Sequence, residues 1–277
     1  MKHFITSILL LNCYLLHAQT QLGSDIDGEA ADDGSGNSVS MNSAGDRVAI
    51  GANGNDGTDT NAGHVRVYEY SNNSWSQLGS DIDGEAYGDN SGISVSMDSA
   101  GDRVAIGGHA NDGAFDYAGH VRVYEYSNNS WSQLGSDIDG EALRDYSGIS
   151  VSMDSAGDRV AIGAYGNDAS GSLAGHVRVY EYSNSSWAQL ESDIDGEAAG
   201  DRSGISVSMN SAGDRVAIGA PYNDGTGSNA GHVRVYSLET PPFATDTTDS
   251  HDGDFVVVTG TTTYESLPFI ETFSDQD

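Results

Sequence analysis

The feature that most limits what this chain can fold into is a repeat with a constant step. The heptapeptide Gly-Asp-Arg-Val-Ala-Ile-Gly begins four times, at Gly45, Gly101, Gly157 and Gly213, each 56 residues after the last. A fixed period of about this size is typical of propellers, solenoids and repeat arrays. The fold therefore depends on what one unit of 56 residues forms and on how four such units join.

One unit has the pattern of four antiparallel β-strands, which we name A, B, C and D in chain order. In the second unit, the segments in which apolar and polar residues alternate are 93–97, 103–107, 120–126 and 131–138. This period of two, with many Val, Ile, Tyr and Trp residues, predicts strands. Turns rich in Asn, Ser and Gly separate A from B and C from D, and Asn and Gly permit tight hairpins.

A single unit is too small to be stable by itself. Its buried apolar side chains, at about 1.5–3 kcal/mol each, cannot offset a backbone entropy cost of about 1–2 kcal/mol per residue. Both faces of the sheet need a covering neighbour, because Val121 and Val123 point to one side and Tyr124 and Tyr126 to the other. Four-stranded sheets stacked face to face around an axis form a propeller, so we predict an all-β, four-bladed β-propeller over residues 20–237.

The two ends of the repeat array suggest how it closes. Residues 21–27 match strand D although no A, B or C precedes them, and the fourth unit stops at strand C, residues 233–236. We therefore predict that the N-terminal strand completes the fourth blade and closes the ring, which removes exposed sheet edges. The alternative is that the four units form an open part of a larger propeller.

Residues 1–19 have the composition of a secretory signal peptide. Lys2 precedes an apolar run from Phe4 to Leu16, and Ala18 offers a cleavage site. Two alternatives are a buried first strand or helix and a bacterial lipoprotein site at Cys13. Cleavage after Ala18 removes the only cysteine, so the mature chain would have no disulfide and no transmembrane segment. The prediction is a secreted or cell-surface protein.

Residues 238–277 do not continue the repeat and are predicted to be a linker and the start of a truncated further module. Pro241 and Pro242 mark the linker. Residues 267–273, Leu-Pro-Phe-Ile-Glu-Thr-Phe, resemble the opening of jelly-roll, lectin-like modules in surface proteins of Bacteroidetes-type bacteria. That resemblance implies a Gram-negative bacterial source.

The charge of the chain is strongly acidic, with 42 acidic against 11 basic residues and a net charge of −31. Such a surface repels nucleic acid and anionic lipid and attracts cations. Eight arginines occupy two repeated positions, those of Arg47 and Arg66. We therefore expect arginine to be a structural part of each blade, paired with the repeated aspartates.

The loops that differ most between repeats are predicted to lie on one face. Antiparallel strands alternate in direction, so the B–C and D–A loops meet at the same end of every blade, and both vary. Variable loops on a constant scaffold are where binding sites usually lie. The predicted ligand-binding residues on this face are Tyr87, Phe115, Tyr117, Arg144, Tyr146, Tyr165, Arg202 and Tyr222. The alternative is neutral drift of unconstrained loops.

Each D–A region also carries four acidic residues at relative positions 1, 3, 5 and 9. They are Asp25, Asp27, Glu29 and Asp33, with copies at Asp81, Asp83, Glu85, Asp89, Asp137, Asp139, Glu141, Asp145, Asp193, Asp195, Glu197 and Asp201. This is the oxygen-ligand spacing of calcium loops, and calcium is the predicted ion. The alternative is that these acids cap turns.

Four histidines open strand C in the four units, at His64, His120, His176 and His232. A symmetric set of this kind either binds a metal ion or makes hydrogen bonds to a neighbouring blade. Because each histidine follows Ala-Gly and stands near an arginine, we expect the hydrogen bond, and the metal ion is the alternative.

Three segments together resemble a known repeat. They are Ser91-Gly-Ile-Ser-Val-Ser, Gly219-Ala-Pro-Tyr-Asn-Asp and the recurrent Ala-Gly-His-Val-Arg-Val-Tyr, and they resemble the FG-GAP repeat of integrin-α-type propellers over residues 21–237. The family's usual ring has seven blades, and its Asp-x-Asp-x-Asp-Gly loop between strands A and B is absent from this chain. The resemblance implies a binding or adhesion scaffold without carrying over the family's metal sites.

The sequence predicts a protein that is not an enzyme. Nearly every acid recurs in each repeat, whereas a glycosidase needs two carboxylates placed asymmetrically around one bond. No nucleophile elbow, zinc-protease helix or phosphate loop occurs. We expect a secreted or surface propeller that binds an extracellular protein or glycan through its variable face. The alternatives are a structural spacer and the non-catalytic part of a secreted hydrolase.

Overall fold

The computed structural model describes residues 19–238, and the predicted signal peptide up to Ala18 and the predicted module from Glu239 onward lie outside these described residues. The described part consists of eighteen strands and contains no helix. It therefore includes no helix long and apolar enough to cross a membrane.

The strands are distributed over four successive sheets, the blades. Blade 1 contains β1 (Ser38–Met41), β2 (Arg47–Ala52), β3 (His64–Ser71), β4 (Ser74–Gln77) and β5 (Ile82–Asp83). Blade 2 contains β6 (Ser94–Met97), β7 (Arg103–Gly108), β8 (His120–Ser127), β9 (Ser130–Gln133) and β10 (Ile138–Asp139). Blade 3 contains β11 (Ser150–Met153), β12 (Arg159–Ala164), β13 (His176–Ser183), β14 (Ser186–Gln189) and β15 (Ile194–Asp195). Blade 4 contains β16 (Ser206–Met209), β17 (Arg215–Ala220) and β18 (His232–Ser237).

The order within a blade follows the chain, and neighbouring strands are antiparallel, as predicted. Strand D differs from the expectation because it is split. In blade 1, β4 pairs with the second half of β3, whereas β5 pairs with the first two residues of β3. Gly79 lies between β4 and β5 with φ +77°, and a residue in the left-handed region cannot continue an extended strand.

Successive blades pack face to face through apolar cores. Between blades 1 and 2, one sheet contributes Ala49, Val65 and Val67, and the next contributes Val104 and Ile106. The same arrangement recurs at the next two junctions. Burial of such side chains stabilises the stacked blades by about 1.5–3 kcal/mol each. A single blade would leave these side chains exposed to water. The all-β propeller fold predicted from the sequence is therefore present.

The blades also curve around a shared cavity on the side of the A–B turns. This cavity has a volume of about 190 Å³ and is lined by residues of all four repeats, including the equivalent Met41, Met97, Met153 and Met209. Main-chain hydrogen bonds connect the A–B turns of consecutive blades, as from Ser43 N to Ser99 O at 3.1 Å. One axis is therefore common to the four units.

The repeated arginines are structural, as expected, but seven of the eight pair with a glutamate and only Arg215 pairs with an aspartate, Asp214. Arg103 donates two hydrogen bonds to Glu125 Oε1, at 2.9 Å from Nε and 2.8 Å from Nη2. Its Nη1 donates to the main-chain oxygen of Gly157 in the next blade at 3.2 Å. Arg122 donates from Nη2 to the main-chain oxygen of Asp83 in the preceding blade at 2.7 Å. Arginine thus links neighbouring blades.

The predicted closure by the N-terminal strand is not observed. In the described residues, β18 pairs only with β17, and residues 21–27 form no strand. The N-terminal segment is bound to blade 1 instead, because Trp75 Nε1 donates to Leu22 O at 2.9 Å and Arg66 Nη2 to Asp27 O at 2.7 Å. Leu78 and Asp83 accept equivalent bonds from blade 2, so this segment lies where the outer strand of a preceding blade would lie.

Each end of the blade array presents an exposed sheet face. Met41 in blade 1 is 55 % exposed, whereas the equivalent Met97 is 7 % exposed. Val235 in blade 4 is 66 % exposed, whereas the equivalent Val179 is 2 % exposed. Because these faces are covered at every internal junction, the described array is open at both ends.

Candidate functional site

The two variable loops of each junction lie side by side, as predicted. Gly63 in a B–C loop forms a parallel bridge with Ser91 in the following D–A loop, and the bridge recurs at the next two junctions. Asn90 N also donates to Asn61 O at 3.1 Å. The backbone therefore holds both loops on one face, and their side chains form a common surface.

Six side chains on this face form a continuous chain of contacts across blades 2 to 4, which we call the aromatic strip. They are His109, Tyr117, Tyr146, Tyr165, Arg202 and Tyr222. The rings of Tyr146 and Tyr165 are stacked, with centroids 5.1 Å apart and planes 3° apart. The centroids of Tyr117 and His109 each lie 6.0 Å from that of Tyr146.

Arg202 extends the aromatic strip into blade 4. Its guanidinium carbon lies 5.8 Å from the Tyr165 ring centroid and 4.8 Å from that of Tyr222. Both distances are within the range of cation–π attraction. Burial raises the pKa of the Tyr165 hydroxyl, so this hydroxyl is a neutral hydrogen-bond donor at physiological pH.

The aromatic strip replaces an amide pair that occupies the same place in blade 1. There, Asn53 Nδ2 donates to Asn90 Oδ1 at 3.4 Å. One step of 56 residues later the pair is His109 and Tyr146, and the next pair is Tyr165 and Arg202. The scaffold therefore presents different side chains at equivalent junction positions.

Three members of the aromatic strip have a backbone conformation that their residue types disfavour. Tyr117, Tyr146 and Arg202 have φ angles of +54°, +55° and +52°. Asn61 and Asn90 occupy the equivalent positions with φ of +51° and +54°, and Asn tolerates this region. A left-handed conformation costs other L-residues about 1–2 kcal/mol, so turn geometry alone does not explain Tyr or Arg at these positions.

Five of the eight predicted ligand-binding residues meet in the aromatic strip, and three do not. Tyr87, Phe115 and Arg144 are exposed on the same loops. Within the described residues, no ring or cation contact joins them to the strip. The sequence analysis missed His109, although its equivalence to Tyr165 was a signal that could have identified it.

The last acid of each predicted calcium loop caps a turn instead of joining the other three. Asp145 is buried, and its Oδ2 accepts hydrogen bonds from Ala142 N at 3.0 Å and Asn167 Nδ2 at 3.2 Å. Burial raises the pKa of this carboxyl, and the hydrogen bonds partly oppose that shift. Asp33, Asp89 and Asp201 are buried and cap turns in the same way. The turn-capping alternative therefore describes these positions.

Two of the three other acids of each loop, those equivalent to Asp81 and Glu85, come together around a histidine, whereas the acid equivalent to Asp83 does not. His120 Nδ1 lies 3.9 Å from Glu85 Oε2, which comes from the loop before blade 2, and 3.8 Å from Asp137 Oδ2. We call such a group a junction cluster. The junction clusters of the described chain are Glu29–His64–Asp81, Glu85–His120–Asp137 and Glu141–His176–Asp193. In blade 4, the only neighbour of this kind that His232 Nδ1 has among residues 19–238 is Glu197, at 3.7 Å.

His120 and His176, the histidines of the second and third junction clusters, are buried and neutral. The His120 side chain is 2 % exposed, and burial, together with the nearby Arg122, lowers its pKa to about 4. Its Nδ1 has no hydrogen-bond partner, and the same is true of Nδ1 of His176. Buried polar atoms are almost always hydrogen-bonded, so these two atoms require an explanation.

Comparison with known proteins supplies no family. No protein-family model and no curated protein matches the chain. Among solved structures, hydrazine synthase of Kuenenia stuttgartiensis is similar with a TM-score of 0.48 and 10% identity, over 79% of this chain and 50% of that one. A putative 6-phosphogluconolactonase from Bacteroides uniformis is similar with a TM-score of 0.48 and 8% identity, over 72% and 49%. The chain spans about half the length of these structures, and the likeness concerns the fold alone.

Proposed function

We propose that this chain is a non-enzymatic binding module that takes an extracellular ligand on the aromatic strip. The observation that carries the proposal is the presence of Tyr117, Tyr146 and Arg202 at left-handed backbone positions where blade 1 has asparagine. Residues held in sparsely populated backbone regions cluster at functional sites. The placement of three of them in one set of contacts supports a binding role.

Neutral drift is a weaker explanation for these residues. Drift at a left-handed position should favour Gly, Asn or Asp, because each of these avoids the steric cost of about 1–2 kcal/mol. Of the costly residues at the Asn61 and Asn90 positions, Tyr117, Tyr146 and Arg202 coincide with ring or guanidinium contacts, whereas Leu173, with φ +54°, lies outside the strip. Selection for the side chain, rather than for the turn, accounts for this coincidence.

The chemistry of the aromatic strip favours a neutral glycan as ligand. Tyr117 and Tyr222 are exposed at its two ends, and tyrosine offers an apolar ring together with a polar hydroxyl tip. A sugar ring has a matching C–H face and hydroxyl edges. The net charge of −31 disfavours anionic ligands at long range. An extracellular protein segment with aromatic or aliphatic side chains is the second candidate, since the same rings provide protein-binding anchors.

The cellular setting belongs to the same proposal. The leader-like composition of residues 1–19 and the FG-GAP-like motifs support secretion or surface display by a Gram-negative bacterium. In that setting the module would work as a divergent FG-GAP-type adhesion scaffold. A spacer role and a non-catalytic role within a secreted hydrolase are the outcomes that remain if no ligand is found.

The test replaces members of the aromatic strip by the residues that blade 1 has at the same positions. Binding of the full chain to a glycan array identifies a ligand, and titration calorimetry then compares Tyr117→Asn, Tyr146→Asn and Arg202→Asn with the unmodified chain. We expect each change to weaken binding at least tenfold while the fold is retained, because Asn fits the turn. Tyr87→Asn, outside the strip, is the matched control and should leave binding unchanged. Equal affinity of all the variants would refute the role of the strip.

A further inference from the structure

We propose that the three junction clusters are binding sites for a divalent transition-metal ion of the Zn²⁺ class, each bridging two consecutive structural units. This site is separate from the aromatic strip and does not depend on the function proposed for it. The second cluster, Glu85–His120–Asp137, shows the arrangement most completely.

The donor atoms converge on one point. In all three clusters, one His nitrogen and two carboxylate oxygens lie within 4.8 Å of one another. The distances from His120 Nδ1 are 3.9 Å to Glu85 Oε2 and 3.8 Å to Asp137 Oδ2. Around tetrahedral zinc, with bonds of about 2.0 Å, ligand atoms lie roughly 3.3 Å apart. A contraction of about half an ångström would therefore bring each carboxylate oxygen to this separation from the histidine nitrogen.

The histidine nitrogen lacks any other role. Separations of 3.8 and 3.9 Å are too long for a hydrogen bond, and Nδ1 of His120 is buried without a partner. The same nitrogen of His176 is also buried and unpartnered, in a side chain with no exposed surface. A bound cation would satisfy the lone pair of Nδ1 in the second and third clusters.

One oxygen atom of each carboxylate already interacts with another side chain. Asp137 Oδ1 accepts a hydrogen bond from Gln133 Nε2 at 2.6 Å, which leaves Oδ2 toward the histidine. Glu85 Oε1 pairs with Arg122 Nη1 at 3.3 Å, which leaves Oε2. Partners of this kind orient metal ligands and tune their affinity. The arginine also balances part of the negative charge of the cluster.

The donor set indicates the class of ion. Imidazole nitrogen with carboxylate oxygen suits zinc and its neighbours in the transition series, whereas calcium prefers six to eight oxygen ligands. Three protein ligands leave one position of a tetrahedron free for water or a ligand group. The carboxylates are partly exposed while the histidine is buried, so an ion can enter from the solvent side.

The repeat predicts the number of ions. Three clusters have all three donors, whereas the fourth histidine, His232, has only Glu197. We therefore expect three strong sites per chain in the residues that the structure describes. The glutamate of each cluster precedes the blade that supplies the histidine and the aspartate, so the three ligands come together only in the folded chain. An ion that binds the folded chain alone should also raise the melting temperature.

The experiment measures stoichiometry on the full chain without a histidine tag. Equilibrium dialysis against Zn²⁺ is performed in the presence of millimolar Ca²⁺ and Mg²⁺ and of physiological salt, which suppress loose binding to the acidic surface. We expect saturation at three Zn²⁺ per chain. Substitution of Co²⁺ should give the intense visible absorption of a low-coordinate site with nitrogen and oxygen ligands.

Isosteric variants separate the cluster from general surface charge. Asp137→Asn and Glu85→Gln should each lower the stoichiometry from three to two, since both residues are partly exposed and the changes preserve shape. Asp139→Asn removes the same charge two residues away, outside the clusters, and should leave three. Absence of saturable Zn²⁺ binding, displacement of Zn²⁺ by millimolar Ca²⁺, or equal stoichiometry in Asp137→Asn and Asp139→Asn would overturn the proposal.

Discussion

Val179 and Val235 allow a direct test of the open end of the array, because they occupy the same repeat position in different surroundings. Val179 lies in β13 and packs in the core between blades 3 and 4. Val235 lies in β18, 56 residues later, on the exposed face of blade 4. The substitution to alanine is chemically identical at both positions, so any difference in its effect reports the packing of that face.

The expected magnitudes follow from burial. Val179→Ala removes two carbon groups, which is about 1.6 kcal/mol at roughly 0.8 kcal/mol per buried methylene. The residual cavity adds about 0.5–1 kcal/mol, so the loss is about 2–2.5 kcal/mol. Val235→Ala should change stability by less than about 0.5 kcal/mol, as is usual at exposed positions.

Urea unfolding followed by tryptophan fluorescence and thermal melts of both variants measure these values. For a domain of this size, the change in Val179→Ala corresponds to a melting temperature lower by roughly 4–10 °C. Val235→Ala should have the same melting temperature as the unmodified chain. If Val235→Ala lost as much stability as Val179→Ala, the end face would be covered in solution and the open arrangement would be refuted.

Two further predictions concern the loop face. Gly119→Ala should cost well over 3 kcal/mol or prevent folding, because Gly119 has φ +73° and an added Cβ would overlap the main chain of Ser147. Gly88→Ala, at φ +78° with no atom within 4 Å of the added Cβ, should cost only the backbone strain of about 1–2 kcal/mol. Similar urea midpoints for Gly119→Ala and Gly88→Ala would contradict this difference. Burial lowers the pKa of His109, whereas the unfolded chain keeps a value of about 6.5. The unfolded state therefore binds more protons, and stability should fall as the pH decreases from 7 through that value. His109→Asn should reduce this slope in urea unfolding between pH 7.5 and 5.5, and an unchanged slope would contradict the assignment.

The strands were predictable because their signal is local. Alternation over residues 120–126 places Val121 and Val123 on one side of the sheet and Tyr124 on the other, and the structure has the same parity in its cores. The split of strand D was missed because the extended segment predicted over residues 131–138 includes Gly135, whose φ of +80° interrupts the strand.

The two candidate sites differ in how far the sequence revealed them. The aromatic strip was largely predictable because differences between copies of a repeat mark the positions that the scaffold does not need. The junction clusters were not predictable from the spacing of acids. Their donors come from consecutive repeats, so Glu85, His120 and Asp137 are brought together only by face-to-face packing of blades. Their sequence separations match no metal motif.

The repeat, the strand order and the face of the variable loops can all be read from the residues, because they follow from short-range alternation and from the reversal of direction at each turn. The position of the N-terminal segment and the separation of the two ends of the array are evident only in the folded chain. Closure depends on the rotation between packed sheets, which is set by how side chains such as Ile106 and Val67 interlock. The alternation of residues along a strand carries no information about that rotation.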